Sequence, residues 1–249
     1  MTTPTLLTIP FSHYCEKARW ALDHAGVGYR EEGHVPGFHY LATRRAGGRH
    51  TVPVLVLGGG HVLDDSPLIV RWADAQAPAD RKLLPAEGPQ RDQTIALERA
   101  FDVDLGPHVR RYGYFHLLPE RPLTEGLMRE GTPGGERLAL RAVYPFLARV
   151  MRRRMQIDAP RSAASRDQIR REFDAVGARL RDGRPYLTGD RFGAADLTFA
   201  ALGGPLVGPS EAPQPIPLPD ALLADRAELR AHPAGEFILA LYRDWRRPA

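Results

Sequence analysis

Pro10-Phe11-Ser12-His13-Tyr14-Cys15-Glu16-Lys17-Ala18-Arg19-Trp20-Ala21-Leu22 joins a short apolar run, Leu6 to Ile9, to a stretch of helical spacing, His13 to Ala25. The apolar run reads as a buried strand. In the stretch after it, Tyr14, Ala18, Ala21, Leu22 and Ala25 fall on one helix face, and Gly26 follows as a C-cap. Tyr29 to His34 reads as a second strand, and a strand-helix-strand crossover makes the two strands parallel. Ser12 stands at the junction, beside the first free amides of the helix. Those amides and the helix dipole stabilise an anion placed there. A thiol has an ordinary pKa of about 8.5. A hydroxyl donor at a helix N-terminus would therefore raise the thiolate fraction of a thiol bound at that spot. Taken alone, Ser12 also reads as a plain N-cap.

Working outward, Tyr40 to Arg45 suggests a short helix, and Thr51 to Leu57 a strong strand. Gly58-Gly59-Gly60 is a turn and His61 to Leu63 a returning strand. Val52-Pro53 places a proline just inside a strand, where it removes a ladder donor. A cis peptide at a bend leading into the strand resolves this and leaves the Val52 amide and carbonyl free to pair with an extended peptide; an edge strand with a trans proline is the alternative. Asp65-Ser66-Pro67 starts a third helix, with Ser66 as N-cap and Pro67 as its first residue. Pro78 to Gln90 reads as a linker. Beyond it the signals are helical: Arg91 to Val109, Glu136 to Ile157, Ser165 to Arg181, Ala195 to Leu202, Pro219 to Arg230 and Pro233 to Trp245. The stretch from Gly203 through Pro219 holds six prolines, which predict a loop. The order of elements gives an α/β first domain over 1–78, a linker over 79–90 and an all-α second domain over 91–249.

The composition narrows the function. A net charge of +4 over 249 residues, with signs alternating along the chain, reads as a solvated surface and not a nucleic-acid-binding face. Arg152, Arg153 and Arg154 would be spread around a helix and not gathered into a patch. A single cysteine, Cys15, permits no intramolecular disulfide and fits a reducing, cytoplasmic setting. No apolar run reaches the length of a membrane span, and no histidine or cysteine spacing suggests a metal site.

Ser12 after the first strand, Val52-Pro53 before the third and Asp65-Ser66 at the third helix resemble, in order and spacing, the cytosolic glutathione transferase superfamily. Leu83-Leu84-Pro85 resembles its linker. Arg184-Pro185-Tyr186-Leu187-Thr188-Gly189-Asp190-Arg191-Phe192-Gly193-Ala194-Ala195-Asp196-Leu197-Thr198 resembles the motif before its buried core helix. The resemblance implies a thioredoxin-like domain followed by a helical one, glutathione as co-substrate, a small hydrophobic electrophile as acceptor, no metal, and a homodimer. By position, Ser12 would face the glutathione sulfur. Val52, held by Pro53, would pair with its cysteinyl part, Asp65 and Ser66 would hold the γ-glutamyl end, and His50 would lie near the glycyl carboxylate. Asp196 would buttress the core helix. Two departures stand out. Gly193 replaces the family's usual Ser or Thr in the capping box. Ser12 with Cys15 forms Ser-x-x-Cys, which lacks the usual attacking thiol of a thioredoxin-like pair. Three readings stay open: a transferase using Ser12, a thiol oxidoreductase using Cys15, and a non-catalytic binding module. Tyr112, Tyr114, Phe115 and His116, expected after the first long helix, could line the acceptor pocket; ordinary core or interface packing is the alternative.

Overall fold

The apolar run predicted as the first strand is central to a four-stranded sheet of order β2-β1-β3-β4. The computed structural model describes residues 3–213 and 215–246. β1 (Thr5–Thr8) pairs in parallel with β2 (Arg30–Gly33) and antiparallel with β3 (Val54–Val56), which turns through Gly58–Gly60 into β4 (Val62–Leu63). β3 is shorter than expected. Thr51, Val52, Pro53 and Leu57 fall outside it; the proline, which has no amide to give a ladder, stands just ahead of the first paired residue, and the Val52-Pro53 peptide is cis. β2 is an edge strand, which explains its polar sequence: Glu31 accepts from the Thr8 hydroxyl at 2.6 Å and from Arg19 at 2.8 Å.

The crossover helix α1 (His13–His24), with α2 (His39–Arg45) and α3 (Ser66–Gln76), completes this half. α3 starts one residue before the expected position. Asp65, in extended conformation, is its N-cap and accepts from the Ser66 amide at 2.8 Å, so Ser66 is the first helical residue.

The rest is helical: α4 (Pro89–Ala100), a π-helical segment Phe101–Leu105, α5 (Gly106–Leu117), α6 (Arg121–Arg129), α7 (Gly134–Arg154), α8 (Ala159–Leu180), α9 (Ala194–Val207), α10 (Leu223–Ala231) and α11 (Pro233–Trp245). The first long helix thus continues past Val109, and Tyr112, Tyr114, Phe115 and His116 lie within it. Helix α6 was not anticipated. α9 extends to Val207 with Pro205 inside, where a loop was expected. Nearly every residue of α9 is buried, and it packs between α1 and α11. One apolar core therefore runs from Leu6 and Leu55 of the sheet through Trp20 of α1 to Phe199 and Leu202 of α9 and Ile238 of α11. A second cluster joins Phe11 and Val35 to Tyr114, Leu127, Leu140 and Met151. Among the described residues no helix is long and apolar enough to cross a membrane.

Candidate active site

Ser12 occupies the N-cap of α1. Its amide donates to the Ile9 carbonyl and its carbonyl accepts from the Glu16 amide, both at 2.9 Å. Its hydroxyl makes no capping bond to the helix amides, so backbone geometry alone starts the helix there. Cys15, one turn on, is fully buried. Burial pushes its thiol up to about 11, against the lowering effects of Arg19 and of hydrogen bonds with the Ile9 backbone and the Ser12 side chain. The thiol is thus protonated at neutral pH.

The start of α1 is tied to the helical half through the π-helical segment. Tyr14 donates its hydroxyl to the Asp102 carbonyl at 2.6 Å. His13 bonds the Gly106 carbonyl through Nε2 at 3.0 Å. Burial, and then the charge of Arg110, lower the His13 pKa to about 3, so the ring is neutral and Nε2 carries the donated proton. A Cβ at residue 106 would lie 2.2 Å from the Tyr14 hydroxyl, so only glycine allows this approach. Beneath it, Lys17 reaches Asp102 at 2.7 Å and Glu98 at 3.0 Å, and Glu98 pairs with Arg71 at 2.8 Å. Such π-helical insertions concentrate at functional sites.

Above Ser12 opens a cavity of about 230 Å³ between the sheet half and helices α5 and α7. Ser12, His50 and Val52 all line it. His50 is exposed and meets Tyr40 edge-on, ring centroids 5.8 Å apart. Among the described residues the Val52 amide and carbonyl have no hydrogen-bond partner. Pro53 is buried and does not line the cavity. Asp65 and Ser66 do not line this cavity. Asp65 is exposed, Ser66 is buried, and the Ser66 hydroxyl has no partner. Of the four aromatic residues expected at the acceptor pocket, Tyr114 alone lines it. Tyr112 turns away and donates to Asp225, and His116 packs on Tyr112. The sequence reading missed Arg110, Met151 and Arg154, which the cavity also includes. Arg110 and Tyr114 are one turn apart on a single face, a signal hidden by ending the helix at Val109.

Comparison with known proteins agrees with this architecture. Family models for the glutathione S-transferase N-terminal domain and C-terminal domain match residues 6–82 and 159–209. Among solved structures, a glutathione S-transferase from Sinorhizobium meliloti 1021 is similar at 21% identity and TM-score 0.60, covering 98% of this chain and 99% of that one. One from Methylobacillus flagellatus with glutathione bound gives 15% and 0.63, covering 97% and 98%. A theta class enzyme from Xanthomonas axonopodis pv. citri, also with glutathione bound, gives 24% and 0.57, covering 100% and 99%. No curated protein matches the chain. With both family domains present in order on a thioredoxin-like sheet and an all-α second half, this chain belongs to the glutathione transferase superfamily.

Proposed function

We propose that the protein is a glutathione transferase in which Ser12 activates the glutathione thiolate for attack on a small hydrophobic electrophile. The observation that carries this reading is the Ser12 side chain. It stands at a helix N-terminus, lines the cavity and spends no bond on capping. A hydroxyl donating to a thiolate favours the charged form, and the helix dipole adds to the effect. The buried, protonated Cys15 does not line the cavity, which weighs against a thiol-exchange enzyme. Val52 would pair through its backbone with the cysteinyl part of glutathione, Asp65 and Ser66 would hold the γ-glutamyl end, and His50 would face the glycyl carboxylate. The family resemblance extends the reading to a homodimer.

The test is the ultraviolet thiolate band of bound glutathione followed against pH, beside turnover with an aryl halide. Ser12→Ala is expected to raise the thiol pKa and to slow conjugation tenfold or more, about 1.4 kcal/mol. Glutathione affinity should barely change. An unchanged thiolate pKa in this variant would sink the serine mechanism.

A further inference from the structure

The cavity wall carries charge of one sign. It includes Arg110 and Arg154 and, among the described residues that line it, no aspartate or glutamate. Neither arginine has an ion-pair or hydrogen-bond partner among the described residues. The two cations stand at different ends. Arg154 shares its surroundings with Tyr40 and His50 on the α2 side, which is the end assigned above to glutathione's glycyl carboxylate. Arg110 lies on the α1 side, where its charge adds to the burial that lowers the His13 pKa and opposes the burial that raises those of Tyr14 and Tyr114. Tyr114 follows Arg110 by one turn on the same face of α5 and meets Phe11 edge-on, centroids 6.4 Å apart. Between them, a Cβ at Gly113 would meet nothing within 4 Å, so this face has room for a ligand. Val109, Leu117, Leu147 and Met151 supply an apolar wall beside it.

We propose that the acceptor is an electrophile with an apolar body and a carboxylate, the carboxylate held by Arg110. This rests on the transferase reading above. A guanidinium pairs with a carboxylate through two parallel hydrogen bonds, which fixes orientation as well as charge. In an apolar cavity with no competing acid, that contact selects an anionic acceptor over a neutral one of the same shape. For an aryl chloride, the glutathione sulfur forms a bond to the ring carbon and the carbon–chlorine bond breaks. Chloride leaves with the bonding pair, and the thiol proton goes to solvent.

The experiment compares a chloronitrobenzoate with its methyl ester, each rate divided by its uncatalysed rate with glutathione to remove intrinsic reactivity. The wild-type kcat/KM should favour the acid at least tenfold. Arg110→Gln should cut that acid-to-ester ratio at least tenfold, through KM for the acid, and Arg110→Lys should fall between. A wild-type ratio near one, or a ratio unchanged in Arg110→Gln, would overturn the inference. An equal loss for both probes would mean that Arg110 acts on glutathione, which overturns the inference and leaves the transferase reading standing. No turnover of either probe would overturn both.

Discussion

Ser12 and Cys15 stand one helical turn apart, and their surroundings separate their chemistry. The hydroxyl stands at a cavity, whereas the thiol is sealed against Arg19 and the Ile9 backbone. The residue types and their order were enough to bring Ser12, His50 and Val52 to one place. They could not reveal which side chains line the opposite wall, because Arg110 and Tyr114 reach it only through the register of a helix whose end was misplaced. Asp65 shows a second limit of residue-level reading. The family resemblance gives it a part in holding the γ-glutamyl end of glutathione, yet it also caps α3 through the Ser66 amide. The two roles can be separated, because asparagine caps helices as well as aspartate does. Asp65→Asn is expected to keep the thermal stability of the wild type and to weaken glutathione binding by about 1.5 kcal/mol. That is the low end for a hydrogen bond to a charged group, as suits an exposed side chain. Calorimetry giving wild-type affinity would remove Asp65 from the site.

Helix α9 shows what sequence patterns convey at the scale of an element and where they stop. Its start was legible: Asp196 accepts from the Gly193 amide at 2.9 Å and from the Leu187 amide at 2.8 Å. Burial raises its carboxyl to about 7, and those two amides hold the shift back. Its end was not legible. Pro205 costs about 3 kcal/mol in an isolated helix interior, but here the carbonyls of Pro205, Leu206 and Val207 accept from Arg226 and Arg230, partners more than 19 residues away in sequence. No local pattern carries that information. Gly193, which looked like a weakened cap, has a structural reason. The Leu83 carbonyl accepts from the Ala194 amide at 2.8 Å, and a Cβ at residue 193 would lie 3.0 Å from that same oxygen. Leu83 cannot easily give way, since its amide is bonded to Asp74 at 2.6 Å. Restoring the family's serine is therefore expected to harm. Gly193→Ser should lower stability by about 1 kcal/mol, the small end of overpacking costs. A denaturant midpoint above that of the wild type would show that the linker carbonyl does yield.

At the scale of the whole molecule, α1 is enclosed on all sides, which its sequence did not announce. Glu16, Lys17 and Arg19 look like a solvated face, yet all three are buried, because α3 covers one flank of the helix and α9 another. Charges so enclosed must be paired, and the partners come from distant segments. Lys17 is answered by Glu98 and Asp102 near the π-helical segment. On the other flank Arg246, just after α11, bonds Glu16 at 2.6 Å and Asp23 at 2.7 Å, with its guanidinium 5.9 Å from the centre of the Trp20 ring. The two ends of the fold are thus joined through one helix, and that helix presents Ser12 to the cavity. Removing one partner of a buried pair costs about 3–5 kcal/mol. Glu16 would keep Arg19 at 3.0 Å, and Asp23 would keep its bond with Tyr29, so Arg246→Met should fall at the lower limit, about 3 kcal/mol. The deficit should also depend on pH. Burial already raises the Asp23 carboxyl, and Arg246 opposes the rise. Without Arg246 the folded-state pKa climbs further above the unfolded value of 3.8. A raised folded pKa means that the folded state binds the extra proton, so stability is lost as pH rises through the interval between the two values. Denaturant titrations should therefore show a larger deficit near neutral pH than near pH ~4. Equal deficits at both would mean that Arg246 acts through its packing on Trp20 and not through its charge.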